Sequence, residues 1–209
     1  MGRTVSKSYL AMFSKLQLII LAALATGFSS VAAVASPAAV RGTVFLTRDE
    51  ALELAFPEIQ VERKTQFLSK EEKARVKKLS GLDFDRGCIY PYEARKDGKL
   101  IGTAYFDNHR VRTLRETVMI VVSPEQKVER IEVLAFGEPT DYIPREVWYA
   151  QFHGRPLDKD LNLKRKIRGV AGATLTARAT TEAARRVLAV HRVLGERQVV
   201  GTPVARATR

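Results

Sequence analysis

Hydrophobic and polar positions divide the chain into stretches of different character. In the last stretch, Ala183, Val187, Val190 and Leu194 recur at helical spacing, Ala184, Leu188 and His191 flank them, and Glu182, Arg185 and Arg192 fall on the far side. This is an amphipathic helix with one buried stripe. The middle of the chain reads as β structure. "CIYPYEARKDGKLIGTAYFD" (88–107) predicts two strands around Lys96-Asp97-Gly98-Lys99, because Asp-Gly accepts the positive φ of a type I′ turn. "ETVMIVVSPEQKVERIEVLAF" (116–136) predicts a second hairpin that turns at Ser123-Pro124-Glu125-Gln126. In its second strand Val128, Arg130, Glu132 and Leu134 alternate with Glu129, Ile131, Val133 and Ala135, and Ile131 and Val133 are expected to face inward.

Two short helices are predicted upstream. Thr47-Arg48-Asp49-Glu50 and Ser69-Lys70-Glu71-Glu72 are capping boxes, with the hydroxyl residue at the N-cap and Glu three residues later. The first helix stops at Pro57 and the second at Gly81. Between the second hairpin and the last helix, three prolines and Tyr142, Trp148, Tyr149 and Phe152 make an aromatic loop that covers something or is covered. The fold class that follows is α+β: an antiparallel sheet of hairpins, four or more strands, packed against helices.

The first 15 residues carry three positive charges and no acid, and "LQLIILAALATGF" is an apolar run too short for a comfortable membrane span. Ala33-Val34-Ala35 supplies a small-residue cleavage pattern. Residues 1–40 therefore read as a signal peptide or an N-terminal membrane anchor, and either places the body outside the cytoplasm. The remaining organisation is read as a helical preface over 41–81, one domain over 82–196, and a loosely ordered tail over 197–209.

Charge narrows the partners. The net charge is +12, and taking away Arg3, Lys7 and Lys15 of the leader leaves +9. Such an excess favours anions: membrane head groups or a phosphate-bearing cofactor. No nucleic-acid motif accompanies it, so a nucleic-acid partner is not expected. The single cysteine, Cys88, forms no internal disulfide, and the three histidines (His109, His153, His191) show no metal-ligand spacing. Cys88 reads as a small strand residue and His191 as a structural residue at the core edge.

The sharpest chemical question lies in "IRGVAGATLTARATTEAARRVL" (167–188). Gly172 and Ala173 strip bulk from beside Thr174, and a helix begins within a few residues. Free N–H groups and the positive end of the helix dipole then lie near the Thr174 hydroxyl, where a phosphate is favoured. Lys164, Arg165, Lys166 and Arg168 crowd the approach. Read alone, Thr174 or Thr176 could equally be an N-cap.

At this point the sequence resembles the extracytoplasmic FMN-binding domain family, shared by the C subunit of the sodium-pumping NADH:quinone oxidoreductase, the G subunit of Rnf complexes and free-standing exported flavoproteins. The resemblance rests on "RGVAGATLT", with support from "GKLIGTAYF", "IEVLAFGEPTDY" and "WYAQFHGR", and covers roughly residues 80–196. It implies FMN as cofactor, joined by a flavin transferase through a phosphoester to Thr174. Gly172, Ala173, Leu175 and Thr176 would surround the attachment, with Glu138, Tyr142 and Trp148 as candidate ring contacts. The family usually has an acid where Arg168 stands and Ser or Thr where Ala171 stands. These departures leave noncovalent FMN binding open. The implied role is an electron carrier served by redox partner proteins, a membrane complex among the candidates. A flavin reductase with its own acceptor and a cofactor-free basic docking module are the alternatives.

Overall fold

A computed structural model describes residues 42–200. The leader expected over 1–40 lies outside the described residues, as do residues 201–209 of the expected tail. The architecture is α+β, as the pattern predicts. Six antiparallel strands form one sheet in the order β1-β8-β7-β6-β5-β2: β1 (Thr43–Val44), β2 (Val61–Arg63), β5 (Tyr92–Lys96), β6 (Lys99–Arg110), β7 (Arg115–Val122) and β8 (Val128–Phe136). Two short strands, β3 (Gln66–Phe67) and β4 (Cys88–Ile89), pair separately. The helices are α1 (Arg48–Ala55), α2 (Lys70–Ser80), the four-residue α3 (Glu146–Tyr149) and α4 (Thr174–Val200).

Local chemistry accounts for the boundaries. Both capping boxes are formed, with Thr47 and Glu50 exchanging bonds at α1, and Ser69 and Glu72 at α2. Gly81 ends α2 in the left-handed conformation at φ 73°, the usual C-terminal cap. Asp97 (φ 51°) and Gly98 (φ 77°) both take positive φ between β5 and β6, as a type I′ turn requires. The Ser123–Gln126 turn closes with the Gln126 amide on the Ser123 carbonyl at 2.9 Å.

The sheet is buried on both faces. On one side Val118, Ile120, Val122, Val128 and Ile131 pack with Val187, Leu188 and Val190 of α4. On the other, Met119, Val121 and Leu134 pack with Ala51 of α1 and with Phe56 just beyond it. The inward face expected for β8 is therefore only half the picture. Ile131 is buried, Val133 is half-buried, and Leu134 on the opposite face is buried as well. A register shift between Val121 and Val122 inserts one extra β8 residue, so Val128 and Ile131 reach the same cluster three residues apart. Each large aliphatic side chain so buried contributes about 1.5–3 kcal/mol.

The segment read as a helical preface also supplies β1 and β2, the two edges of the sheet. His191 sits at the core edge, where its Nδ1 lies 2.9 Å from the Tyr105 hydroxyl. Burial lowers its pKa to about 4.

Candidate functional site

Helix α4 begins without a side-chain cap. Ala173 precedes its first residue, Thr174, and accepts the first helical bond, from the Ala177 amide at 2.9 Å. Among the described residues, none accepts from the N–H groups of Thr174, Leu175 and Thr176. Gly172, at φ 81°, makes the turn into the helix, a conformation that would strain a side-chain-bearing residue. Nothing lies within 4 Å of where a Cβ would stand at Gly172, so the approach to the helix end is open.

The two threonines diverge. Thr176 is 1% exposed, and its hydroxyl donates to the Tyr142 carbonyl at 2.7 Å. Thr174 is exposed, and its hydroxyl donates only to the Val170 carbonyl at 3.2 Å. Its oxygen lone pairs remain free.

A cavity of about 240 Å³ opens at this helix start, lined by Val111, Arg112, Glu138, Tyr142 and residues 172–176. The fold thus brings together Gly172, Ala173, Thr174, Leu175, Thr176, Glu138 and Tyr142. Trp148, a candidate ring contact on sequence grounds, is not at the cavity. It is 6% exposed, and its Nε1 donates to the Arg168 carbonyl at 2.7 Å. Its ring meets Tyr149 and Phe152 edge-to-face in the core. The correction has a physical cause: the one-turn helix α3 and the turn after it roll Trp148 and Phe152 onto the sheet, while Tyr142, further upstream, stays 41% exposed.

Glu138 reaches the cavity with one carboxylate oxygen already engaged. Its Oε1 accepts from the Thr113 and Leu114 amides at 2.6 and 2.7 Å and from the Thr113 hydroxyl at 3.1 Å. The Leu114 and Thr113 amides hold the carboxyl below the usual range. Glu138 therefore anchors the β6–β7 loop, which carries Val111 and Arg112. Sequence reading missed both residues. The loop has no Gly, Pro or Asn-Gly signal, and the contact that fixes it spans 24–25 residues.

Thr174 also borders a second, larger cavity of about 570 Å³, lined among others by Lys164, Arg178, Glu182 and Arg185. The Arg185 guanidinium is committed to the carbonyls of Ser80, Asp158 and Leu161. Arg168 is exposed, with its amide held by the Gln151 side chain at 2.9 Å.

One helical turn beyond Thr176, behind the cavity wall, lies a buried polar cluster that sequence reading also missed. His109 bridges Asp107 and Glu116, with both ring nitrogens 2.9 Å from carboxylate oxygens. Asp107 further meets Arg186 at 2.9 Å and Arg86 at 3.2 Å. Thr180 donates to Glu116 Oε2 at 3.3 Å. Burial opposes charge on His109, but the hydrogen bonds to Asp107 and Glu116 outweigh it and raise the pKa. Burial likewise works against the Asp107 carboxylate, but His109, Arg186 and Arg86 hold its pKa well below normal. The Glu116 Oε1 and Tyr149 hydroxyl atoms are buried without a protein partner.

The donor set at the cavity fits a phosphate that carries a flat apolar body. Free amides, one arginine and a hydroxyl stand beside Tyr142, Leu175 and Val111. No curated protein matches the chain. Residues 115–189 match the family model described as the FMN-binding domain, a span that holds β7, β8 and the start of α4. The chain therefore carries a domain of the FMN-binding family, and FMN is its cofactor.

Proposed function

We infer that this protein is an extracytoplasmic electron carrier whose FMN is joined by a phosphoester to Thr174 Oγ1. One observation carries the attachment: an exposed threonine hydroxyl on the first residue of a helix whose first amides have no acceptor among the described residues. Those amides and the helix dipole favour the phosphate at that point. Gly172 keeps the approach clear, and Tyr142 and Leu175 offer apolar surface to the ring. Bound FMN supplies the redox chemistry, and the protein supplies attachment, orientation and electrostatics.

An electron-carrying role is supported by the match to the FMN-binding domain, since the chemistry FMN supplies is redox chemistry. Export is supported by the charged head, apolar run and cleavage pattern of residues 1–35. A covalent bond suits that location, because a dissociable cofactor would be lost there. A flavin transferase would make the bond, and partner proteins would give and take the electrons. The second reading is noncovalent FMN, favoured by the exposed Arg168 where the family usually carries an acid.

Intact mass under denaturing conditions separates the two. The chain produced with a flavin transferase should gain one FMN. Thr174→Val should lose it, and Thr176→Val should keep it. Arg168→Asp should raise the modified fraction or leave it unchanged. Flavin released from the wild type on denaturation would establish the noncovalent reading.

A further inference from the structure

We propose that Arg112, which lies outside the span matched by the family model, is the phosphate-binding arginine of this cavity, and that Glu138 is the residue that positions it. The proposal rests on the FMN reading and adds a residue to it. Of the side chains lining the cavity, Arg112 is the only cation, and among the described residues it has no ion-pair partner. It comes from the β6–β7 loop and faces a cavity whose other side is the start of α4. Arg112 and a helix N-terminus therefore border one small volume, where Glu138 is the only carboxylate among the lining residues.

That carboxylate makes no ion pair with Arg112 among the described residues. Glu138 Oε1 is taken up by the Thr113 amide and hydroxyl and by the Leu114 amide. These bonds tie the loop to the residue just past β8. They fix the backbone on the C-terminal side of Arg112, which limits where its side chain can reach. What is left open is an anion site formed by the Arg112 fork and the amides of residues 174–176. A phosphate monoester or diester matches it, since guanidinium and phosphate pair in bidentate geometry. The second cavity beside Thr174 is the weaker site for a phosphate. Its Arg185 is already engaged by carbonyls, and its Lys164 and Arg178 share it with the Glu182 carboxylate and do not line the cavity that Tyr142 lines, so Arg178 serves as the control.

The test uses the full-length protein produced free of flavin and titrated with FMN and with riboflavin, which lacks the phosphate, following flavin fluorescence. The readout is the ratio of FMN affinity to riboflavin affinity. Arg112→Gln should cut this preference at least tenfold while leaving riboflavin binding unchanged. Arg112→Lys should restore part of it. Glu138→Ala should lower the preference too, with Glu138→Gln falling less because it keeps an acceptor for the loop amides. Equal loss for both flavins would make Arg112 a ring contact and overturn the proposal. So would an unchanged preference in Arg112→Gln, or loss of the preference in Arg178→Gln alone, which would put the phosphate in the second cavity. Wild-type protein that binds neither flavin, and gains no FMN mass when produced with a flavin transferase, would sink the FMN reading and the proposal with it, whereas normal wild-type binding with a silent Arg112→Gln sinks the proposal alone.

Discussion

Replacing His109 by Leu tests whether the buried cluster behind the cavity is held by compensation of charge. His109 is 9% exposed, Asp107 3% and Glu116 0%. Asp107 keeps Arg86 and Arg186 when the imidazole is removed. Glu116 does not: among the described residues His109 is its only cationic partner, the Thr180 contact is 3.3 Å long, and Oε1 has no partner. Removing one member of a buried pair in this way costs about 3–5 kcal/mol. In a domain of this size each kcal/mol moves Tm by about 2–4 °C, so the single variant should melt about 6–20 °C lower. The double variant His109→Leu/Glu116→Leu removes the stranded carboxylate and fills the same space with apolar side chains. It should recover most of the loss, since a buried pair exchanged for hydrophobic residues is close to neutral. Urea denaturation of the wild type, both single variants and the double variant gives the coupling energy directly. A double variant as unstable as the sum of the singles would refute this account, as would a His109→Leu cost below about 1 kcal/mol.

Trp148→Phe should keep most of the core contact but leave the Arg168 carbonyl without its donor, for a loss of about 1–2 kcal/mol by denaturation. Trp148→Ala should cost about 3–5 kcal/mol. Neither should shift the flavin absorption spectrum in protein that remains folded, whereas Tyr142→Ala should. The pH dependence of stability should show two opposed limbs. The His191 pKa is depressed to about 4, so between about 6.5 and 4 the unfolded chain binds a proton that the folded one refuses. Stability then falls on acidification by up to about 3 kcal/mol, and His191→Gln should flatten that limb. The His109 pKa is raised, so its contribution is complete below the unfolded value near 6.5 and is lost as pH rises through the folded one. Denaturation midpoints measured from pH 4 to 9 in wild type and His191→Gln would check both signs.

The sequence by itself determined what depends on neighbours along the chain. The two capping boxes, the Asp97-Gly98 turn, the stop at Gly81 and the helical stripe from Ala183 to Leu194 are all local, set by backbone sterics, nearby hydrogen-bonding groups or the helical period. The same holds for Thr174 at a helix start beside Gly172 and Ala173. Tertiary structure decided the rest. Burial of both sheet faces followed from where α1 and α4 dock, so the alternation in β8 could not say that Leu134 is as buried as Ile131. The β1 and β2 edges are two and three residues long, too short to carry a period. Trp148 and Tyr142 look alike in an aromatic loop, and only a one-turn helix separates core from cavity. Arg112 and Glu138 line one cavity because β6, β7 and β8 bring one loop beside the end of another strand, and His109 meets Glu116 because the same strands pair them in register. Contacts of that kind leave no mark in spacing or composition, since what brings the partners together is the folding of the sheet.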